Sequence, residues 1–476
     1  MNLVYFLVVF LEGFTTLSVE IIAIRKCMSI IGSNSVITSI ILGVILIALS
    51  YGYYMGGKIA SNSSREFIVK RLFINLFLAS IIYTLFSFPF ENVILSYFLS
   101  TGLGYAFSIL VSIFILFFIP VFLASQTIPL LNELIENEKK SELVGKLLFY
   151  STIGSFIGSM SSSIVFFPLI GVTKTIVLNG LILSSLSLVI ILTNKKYFKD
   201  IIMYVNVFFA GLFLYLLFID LGSGNTVYSY STAHNDINII DYDLDKRVML
   251  LNGGYSSGIN RFTKESYFTY INETEKLIKE YKPKNILVIG GAGFSLPYNV
   301  AKYDFVENID VCDIDEKLYE VSQKYFLEDK LDEKIQFYPI PARYLLNIKS
   351  KEGVKYDFIF VDAYAGQSVP SQLLTKEFYD GLKKISEGII SFNYIFDQEK
   401  KSDFYKKTVN TLYESLGNVY IKNVSGYIAD FGNYIVIDKE NELYNKLQKN
   451  ADVGIYTDDK GTQEIDKYNL YKDKKR

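Results

Sequence analysis

The chain is poor in the residues that build metal centres and disulfide frameworks. It has one histidine, His234, and two cysteines, Cys27 and Cys312, among 476 residues. A single histidine excludes a histidine-rich metal site, and two cysteines this far apart give neither a disulfide framework nor a zinc-binding spacing. The formal net charge of -2 argues against a nucleic-acid-binding protein, which needs a basic surface. We therefore expect no metal and no nucleic-acid partner.

Apolar residues, in contrast, are abundant. They make up 50% of the chain and aromatic residues 16%, with a mean hydropathy of +0.27. This is too apolar for a wholly soluble protein, and the excess lies in the first 220 residues. No cleavable signal peptide is expected, because the first apolar segment contains Glu12 and Glu20 and shows no clear small-residue cleavage pattern.

Residues 1–221 are predicted to form a transmembrane helical domain of about seven helices, which predicts a multi-pass protein of the cell membrane. Each apolar segment is about as long as the roughly 20 helical residues that cross a hydrocarbon core. The segments are 3–24, 36–57, 71–90, 103–131, 144–168, 173–193 and 201–220. Two glycine pairs, Gly52 with Gly56 and Gly154 with Gly158, have the spacing that lets helices approach closely. Ordinary membrane glycines would look the same, so both interpretations stay open.

Two acids lie in the first segment. Glu12 and Glu20 are about 80° apart on a helix of roughly 100° per residue, so they share one side. Ionisable groups inside a membrane usually face a partner or a wet cavity. This acidic pair either attracts a cation or caps and pairs with Arg25, Gln126 or a neighbouring helix.

The residue pattern changes after residue 220. Residues 222–225 read as a linker, and residues 222–282 are predicted to form a small β-rich part. It contains short strands at 237–240 and 248–251 and a helix at 267–281, which Pro283 ends.

Residues 284–326 have the pattern of a nucleotide-binding unit. An apolar run at 286–289 breaks into Gly290-Gly291-Ala292-Gly293, and a second run ends in Asp313, Ile314 and Asp315. Glycines let backbone N–H groups approach a ligand, and an acid about 20 residues further on can accept hydrogen bonds from both ribose hydroxyls. This spacing predicts an adenosine-type ligand.

The pattern of alternating strands and helices continues to residue 361. The predicted elements are a helix at 317–326, a strand at 335–338, a helix at 342–348 and a strand at 356–361. Such alternation predicts a doubly wound, Rossmann-like sheet of the methyltransferase type over residues 283–462. Residues 463–476 are predicted to form a charged tail, of which residues 467–476 read as solvated.

Four stretches should meet where ligands bind on such sheets, beyond the carboxyl ends of the strands. Gly290, Asp313, Pro341 and Asp362 all lie at such ends. Asp362 is the candidate catalytic base, because a carboxylate on the floor of a cleft, followed by a flexible loop, can be closed off from water. The alternative is that Asp362 caps a helix that begins near Leu373.

Basic residues between the apolar segments predict an orientation. They cluster after segments two, four and six, whereas the opposite loops hold only Arg25, Lys26 and Lys174. The positive-inside rule then puts the N-terminus and the even-numbered loops in the cytoplasm. Seven crossings would leave the soluble part outside, away from cytosolic adenosyl compounds. Either a segment is miscounted, for instance a re-entrant piece at 91–101, or the ligand is not cytosolic, so the side of the soluble domain stays open.

The soluble part resembles a known family. Residues 284–326, 338–345 and 356–379 resemble the spermidine synthase (polyamine aminopropyltransferase) family. The hairpin with Leu251-Asn252-Gly253-Gly254 resembles the N-terminal β-domain of that family.

The membrane part resembles the membrane-fused, spermidine-synthase-like branch of this family. The similar stretches are 10–14, 20–25 and 126–131, and Thr457-Asp458-Asp459 fits the closing motif of that branch. The resemblance implies a transferase of polyamine biosynthesis that moves an aminopropyl group from decarboxylated S-adenosylmethionine, as co-substrate and without a metal, to an amine.

The resemblance also implies roles for the co-substrate-binding residues. The glycine turn Gly290-Gly291-Ala292-Gly293 would line the methionine-derived part of the co-substrate. Asp313, followed by Ile314, would bind the ribose, and Pro341-Ala342 would lie near the adenine.

For the amine, the resemblance implies that Asp362 takes the proton from the attacking nitrogen. Tyr255, Tyr267 and Tyr364 are the residues expected to flank the methylenes of the acceptor. The implied partners are a polyamine or another small amine and the lipid bilayer, and a homodimer is kept open.

The chain departs from the family pattern at several positions. Ala365 replaces a second acid of the gate loop, Pro341 replaces the acid before Ala342, and Ser256 replaces a glutamine in the entry hairpin. The turn after Gly290 has no acid before Pro297. Losing charge-assisted bonds of about 1.5–3 kcal/mol each disfavours putrescine as the acceptor.

Two alternatives remain. A methyltransferase would use S-adenosylmethionine itself, whose carboxylate needs a basic group, and Lys302 is the one candidate near the turn. A transporter or sensor would bind a nucleoside or polyamine without turnover, with Glu12 and Glu20 lining a cation path.

Overall fold

The structure is a computed structural model that divides into two compact units. The first comprises residues 1–27 and 35–221, and the second residues 28–34 and 222–476. The structure describes residues 2–31, 35–88, 94, 97–98, 105–136, 139–219, 225–364, 368–425, 431–459, 462–463 and 466.

The first unit is helical throughout its described residues. Its α-helices are α1 (Asn2–Ile31), α2 (Ser35–Ser61), α3 (Arg65–Ser87), α4 (Tyr105–Ile113), α5 (Ile119–Ser125), α6 (Thr127–Leu134), α7 (Lys140–Ser161), α8 (Phe167–Thr193) and α9 (Asp200–Phe218). Short π-helical turns, Phe114–Phe118 and Ser162–Phe166, join α4 to α5 and α7 to α8.

Six helical runs among the described residues are long and apolar enough to cross a membrane, by length and composition. The prediction of about seven differs because the fifth and sixth apolar segments lie in one run, Lys140–Thr193, of 54 residues. A straight helix of that length would measure about 80 Å, well over the roughly 30 Å of a hydrocarbon core. Gly171, with φ 80° and ψ 165°, breaks the helical geometry inside this run.

Close helix contacts explain several glycines of the first unit. A Cβ atom at Gly154 would overlap the carbonyl oxygen of Phe10, and one at Gly158 would overlap that of Phe14. Gly52 lies in the same way against α5, and Gly56 against α6. Both predicted glycine pairs therefore lie at helix–helix contacts, where only a residue without a side chain fits.

Glu12 is buried and its carboxylate accepts a hydrogen bond from the Thr16 hydroxyl at 2.9 Å. Gln126, one of its predicted partners, instead accepts from the Asn75 amide at 3.0 Å and from Arg71 at 3.4 Å. Glu20 is partly exposed. The acidic pair stays a prediction.

The second unit begins with a small antiparallel sheet, in the order β1-β2-β3-β4. Its strands are β1 (Thr226–Ser231), β2 (Asp236–Asp241), β3 (Lys246–Leu251) and β4 (Gly254–Asn260). Helix α10 (Thr269–Tyr281) follows. Lys282 ends this helix in the left-handed conformation, directly before Pro283.

A mixed eight-stranded sheet follows, in the order β12-β10-β11-β9-β8-β5-β6-β7. Its strands are β5 (Asn285–Ile289), β6 (Asn308–Asp313), β7 (Ile335–Pro339), β8 (Tyr356–Val361), β9 (Ser386–Asp397), β10 (Tyr420–Asn423), β11 (Phe431–Ile437) and β12 (Asn445–Lys446). Its helices are α11 (Ser295–Val300), α12 (Lys317–Val321), α13 (Ala342–Glu352), α14 (Lys376–Ile385) and α15 (Asp403–Leu416). The predicted fold class, apolar helices followed by a small β-rich region and an α/β doubly wound domain, is confirmed.

The strand order places a topological switch point in the middle of the large sheet. The chain runs from β5 outward to β6 and β7, all parallel, and then returns to β8 on the other side of β5. Ligands bind at such points because the connections leave the neighbouring strands in opposite directions and open a crevice. Apolar side chains cover both faces of the sheet in two buried clusters, as expected for central parallel strands.

Two residues of the predicted charged tail lie in the described part of the chain. Gln463 and Asp466 are buried. The Gln463 amide donates to the Ser371 carbonyl, and Asp466 accepts from Lys407 at 2.8 Å and from the Tyr456 hydroxyl at 3.1 Å. Residues 467–476 lie outside the described residues, as do 222–224 of the predicted linker and most of 91–101.

Candidate active site

The glycine turn and the end of β8 are in direct contact at the switch point. Gly290 has φ +99°, and a Cβ atom there would overlap the backbone carbonyl of Asp362. The Asp362 N–H donates to the Ile289 carbonyl at 2.8 Å, and the Gly290 N–H donates to the Cys312 carbonyl at 2.8 Å. Position 290 therefore requires glycine for two independent reasons, its conformation and the close approach.

Asp313, at the end of β6, is held against the same turn. Its carboxylate accepts from the Gly291 N–H at 2.9 Å and from the Asp315 N–H at 3.1 Å. Burial raises its pKa, and these backbone hydrogen bonds act in the opposite direction. Each carboxylate oxygen has further lone pairs, so the side chain can still accept ribose hydroxyls.

The next residues of the turn are fixed by the small sheet and by the segment after β6. The Gly293 N–H donates to the Ser257 hydroxyl of β4 at 3.0 Å, and the Ser322 hydroxyl donates to the Ala292 carbonyl at 3.1 Å. A Cβ atom at Gly293 would overlap the Phe326 ring. The turn is thus preorganised by contacts on both sides.

The predicted adenine side lies beside β6. The Cys312 thiol donates a hydrogen bond to the Ile340 carbonyl at 3.1 Å. This bond joins the end of β6 to the segment before Pro341. Pro341 is exposed and caps α13, whereas Ala342 is buried. Ile314 exposes 48% of its surface, which leaves an apolar surface next to Asp313.

Asp362 lies in a partly buried environment with two hydrogen-bond donors. The Asn393 amide donates to it at 2.9 Å, and the Tyr270 hydroxyl donates to the same carboxylate. Desolvation raises the pKa of Asp362 to about 6, although both hydrogen bonds lower it. The predicted alternative, a helix cap, does not hold, because α14 begins after Thr375 and Asp362 contacts β9 and α10 instead.

The structure identifies Tyr270 and Asn393 as site residues that the sequence analysis missed. Asn393 directly follows Phe392, which pairs with Val361, the last residue of β8. It therefore lies level with Asp362, although β9 itself continues to Asp397. Tyr270 lies in the first turn of α10, and no local pattern separates it from Tyr267.

Of the predicted tyrosines, Tyr364 lies at this site. Its hydroxyl donates to the Asn393 carbonyl at 3.2 Å and accepts from the Ile395 N–H at 3.0 Å. It therefore occupies the edge of β9 beyond the end of β8. Residues 365–367, which include Ala365 of the predicted gate loop, lie outside the described residues.

Tyr255 and Tyr267 are both exposed, Tyr255 on β4 and Tyr267 in the segment between β4 and α10. The Tyr255 hydroxyl contacts that of Tyr242 at 2.6 Å, and the Tyr267 hydroxyl donates to Asp245 at 3.1 Å. In the described part of the chain neither forms a hydrogen bond with Asp362, and their role in amine binding stays a prediction.

Lys302, the basic group that a methyltransferase would need, has other partners. Its ammonium lies 4.0 Å from the centre of the Tyr298 ring and 3.4 Å from the Asn299 side-chain oxygen. No described group of three or more His, Cys, Asp or Glu residues could hold a metal ion.

Comparison with known proteins identifies relatives of the second unit. The family model for the spermine/spermidine synthase domain matches residues 266–446. The polyamine aminopropyltransferase of Vibrio vulnificus is 28% identical over 194 residues, which are 40% of this chain and 62% of the relative. That of Methanocaldococcus jannaschii is 27% identical over 215 residues, 44% of this chain and 66% of the relative. The chain thus spans just under two thirds of these two relatives.

Solved structures also align with part of the chain. The spermidine synthase of Thermotoga maritima aligns with a TM-score of 0.36 and 19% identity, over 44% of this chain and 72% of that one. A probable spermidine synthase from Corynebacterium glutamicum aligns with a TM-score of 0.38 and 18% identity, over 44% and 79%.

Proposed function

Because this chain carries a spermine/spermidine synthase domain, we propose that it is an aminopropyltransferase. Its co-substrate would be decarboxylated S-adenosylmethionine, and its acceptor an amine. One observation carries the proposal: Asp362, a carboxylate with a pKa raised to about 6, lies at the switch point against the glycine turn. Relatives over the same region are named polyamine aminopropyltransferases.

The residues around the crevice fit an adenosyl co-substrate. Asp313 has free lone pairs beside the turn, and exposed Ile314 offers an apolar surface for the base. Gly290 lets the turn lie directly against the end of β8, because a side chain there would overlap the Asp362 carbonyl. Lys302, the basic candidate that the sequence offers near the turn, lies over the Tyr298 ring instead, which favours the decarboxylated compound over S-adenosylmethionine itself.

The reaction needs two contributions from the protein, which are the alignment of the amine with the activated carbon and a base. The sulfonium activates the carbon next to it, because the leaving group is a neutral thioether. Asp362 would orient the uncharged amine in line with that carbon and take its proton. A pKa near 6 keeps this carboxylate ionised at pH 7, while its proton affinity stays above that of an ordinary aspartate. Tyr270 and Asn393 would hold the carboxylate in position.

The N-terminal helices support a membrane-bound form of this enzyme. Six runs have the length and composition of membrane spans, and Glu12 is a buried acid within the first. Alkaline carbonate washing of membranes tests this proposal, and the protein should stay in the membrane fraction. Release into the supernatant would contradict membrane insertion.

The activity is tested with purified full-length protein, decarboxylated S-adenosylmethionine and a panel of amines. We expect methylthioadenosine to form with at least one amine, and Asp362→Asn to lower kcat by about 10²–10⁴-fold without weakening nucleoside binding. The proposal is wrong if no amine gives methylthioadenosine, or if Asp362→Asn retains full activity. Calorimetry with both adenosyl compounds separates this function from a methyltransferase.

A further inference from the structure

The amide of Asn393 has an acceptor atom without a partner. Its Nδ2 donates to Asp362 at 2.9 Å, whereas its Oδ1 is buried and accepts no hydrogen bond from the described residues. The side chain is 4% exposed. Buried polar atoms nearly always have a partner, and leaving one unpaired destabilises a fold. An unpaired carbonyl oxygen next to the candidate base is therefore a position for an N–H group of a ligand.

Negative charge at this position is limited to one carboxylate. We call four hydrogen-bonded residues the acceptor set: Asp362, Asn393, Tyr270 and Tyr364. Asp362 is the one acid in this set. The sequence from residue 363 to residue 376 contains no acidic residue at all. Asp397, at the end of the same strand, accepts from the Lys401 N–H and from the hydroxyl of Ser402, the residue that caps α15.

Tyrosine rings form the rest of the acceptor set. Both hydrogen-bonding functions of the Tyr364 hydroxyl are used by the backbone of β9, and the Tyr270 hydroxyl is used by Asp362. What these residues offer a ligand is ring surface, which suits methylene groups and attracts a cation more weakly than a carboxylate does.

We propose that the acceptor is a primary monoamine with an uncharged tail rather than an α,ω-diamine, and that Asp362 and Asn393 Oδ1 receive the two N–H groups of its attacking nitrogen. This assignment rests on the proposed aminopropyltransferase function. A distal ammonium that is buried beside the acceptor set would find no second carboxylate within that set, and burying an unpaired charge is unfavourable. An apolar tail carries no such cost.

The reaction balances with these groups alone. The amine lone pair forms the new N–C bond, and the C–S bond breaks with its electron pair returning to sulfur, which leaves as neutral methylthioadenosine. One proton of the new ammonium passes to Asp362 and from there to solvent. Asn393 takes no proton and serves to orient the amine.

The test compares pentylamine with 1,5-diaminopentane, which differ only in the distal ammonium. Full-length protein is supplied with decarboxylated S-adenosylmethionine, and methylthioadenosine is measured for each amine. We expect kcat/KM for pentylamine to exceed that for the diamine by at least about tenfold. A preference for the diamine would overturn the acceptor assignment and leave the proposed function standing, whereas no product from any amine would overturn both.

Substitution of Asn393 provides the second test. Asn393→Asp adds a carboxylate of the same shape and should shift the preference toward the diamine by about tenfold or more. Asn308→Asp makes the same change at the exposed start of β6, on the opposite edge of the sheet, and should alter neither rate. Calorimetry of co-substrate binding verifies that each variant is folded. Unchanged selectivity in Asn393→Asp would show that this amide does not contact the acceptor.

Discussion

Replacing the candidate base should make the protein more stable. Burial raises the pKa of Asp362 from an ordinary value of 3.8 to about 6, so the folded state holds this carboxylate in a less favourable environment than the unfolded chain does. Each tenfold change in proton affinity corresponds to about 1.4 kcal/mol. Asp362→Asn, which stays neutral and keeps an acceptor oxygen for Tyr270, should therefore raise the free energy of unfolding by up to about 3 kcal/mol at pH 8.

The size of this effect depends on pH in a defined way. Between pH 3.8 and about 6 the folded protein binds the proton of Asp362 more tightly than the unfolded chain, so stability falls as pH rises through this window. The gain from Asp362→Asn should be complete above pH 6, about half as large at pH 5, and almost absent below pH 4. Urea unfolding of the full chain in detergent, followed by circular dichroism, measures it.

A control with the opposite sign is available in the same unit. Asp241 pairs with the buried Arg247 at 2.6 Å, and this hydrogen bond lowers its pKa. Its contribution to stability is present above its ordinary pKa and is lost as pH falls. Asp241→Asn should therefore destabilise the protein at pH 8. If Asp362→Asn also destabilised it there, the carboxylate would not be held unfavourably, and the argument for a raised pKa would be refuted.

Four further changes test other parts of the site and the first unit. Tyr270→Phe removes a donor that lowers the pKa of Asp362, so the acidic limb of the kcat/KM profile should move to higher pH; an unmoved limb would exclude this contact. Gly290→Ala should abolish co-substrate binding in calorimetry, because it adds a side chain at φ +99° against the Asp362 carbonyl; normal binding would show that the turn is less constrained. Asp313→Asn should weaken adenosine-type ligands by about tenfold, while a 2′,3′-dideoxy analogue binds both forms equally. Gly154→Leu should lower the unfolding temperature of the first unit, since its side chain would meet α1, whereas Gly57→Leu, with open space around it, should not.

The central strands could be predicted from the sequence. They are buried on both faces, so each is a continuous apolar run, and glycine or acidic residues mark where the runs end. Strand β8 was predicted at 356–361 and is found there. The helix count was less readable, because the fifth and sixth segments continue into one another and only the φ of Gly171 marks their division. Asn393 was missed because β9, in which it lies, was not predicted. The stretch before it, Ile389-Ile390-Ser391-Phe392, is interrupted by a serine.

Strand β4 shows why the rest of the site could not be predicted. Its sequence, Gly254–Asn260, is rich in glycine and serine and has no alternating pattern, yet the Ser257 hydroxyl accepts the Gly293 N–H of the turn. On the other side, the buried Asp315 accepts from Thr232 at 2.7 Å and from Asn235 at 2.8 Å, two residues after the predicted ribose acid. The small sheet thus holds both ends of the candidate nucleoside pocket through single hydrogen bonds to short polar side chains. Each such contact requires one hydroxyl or amide at one position, and a single residue produces no periodic pattern in the sequence. These contacts can therefore be identified only in the folded structure, where the two sheets lie together.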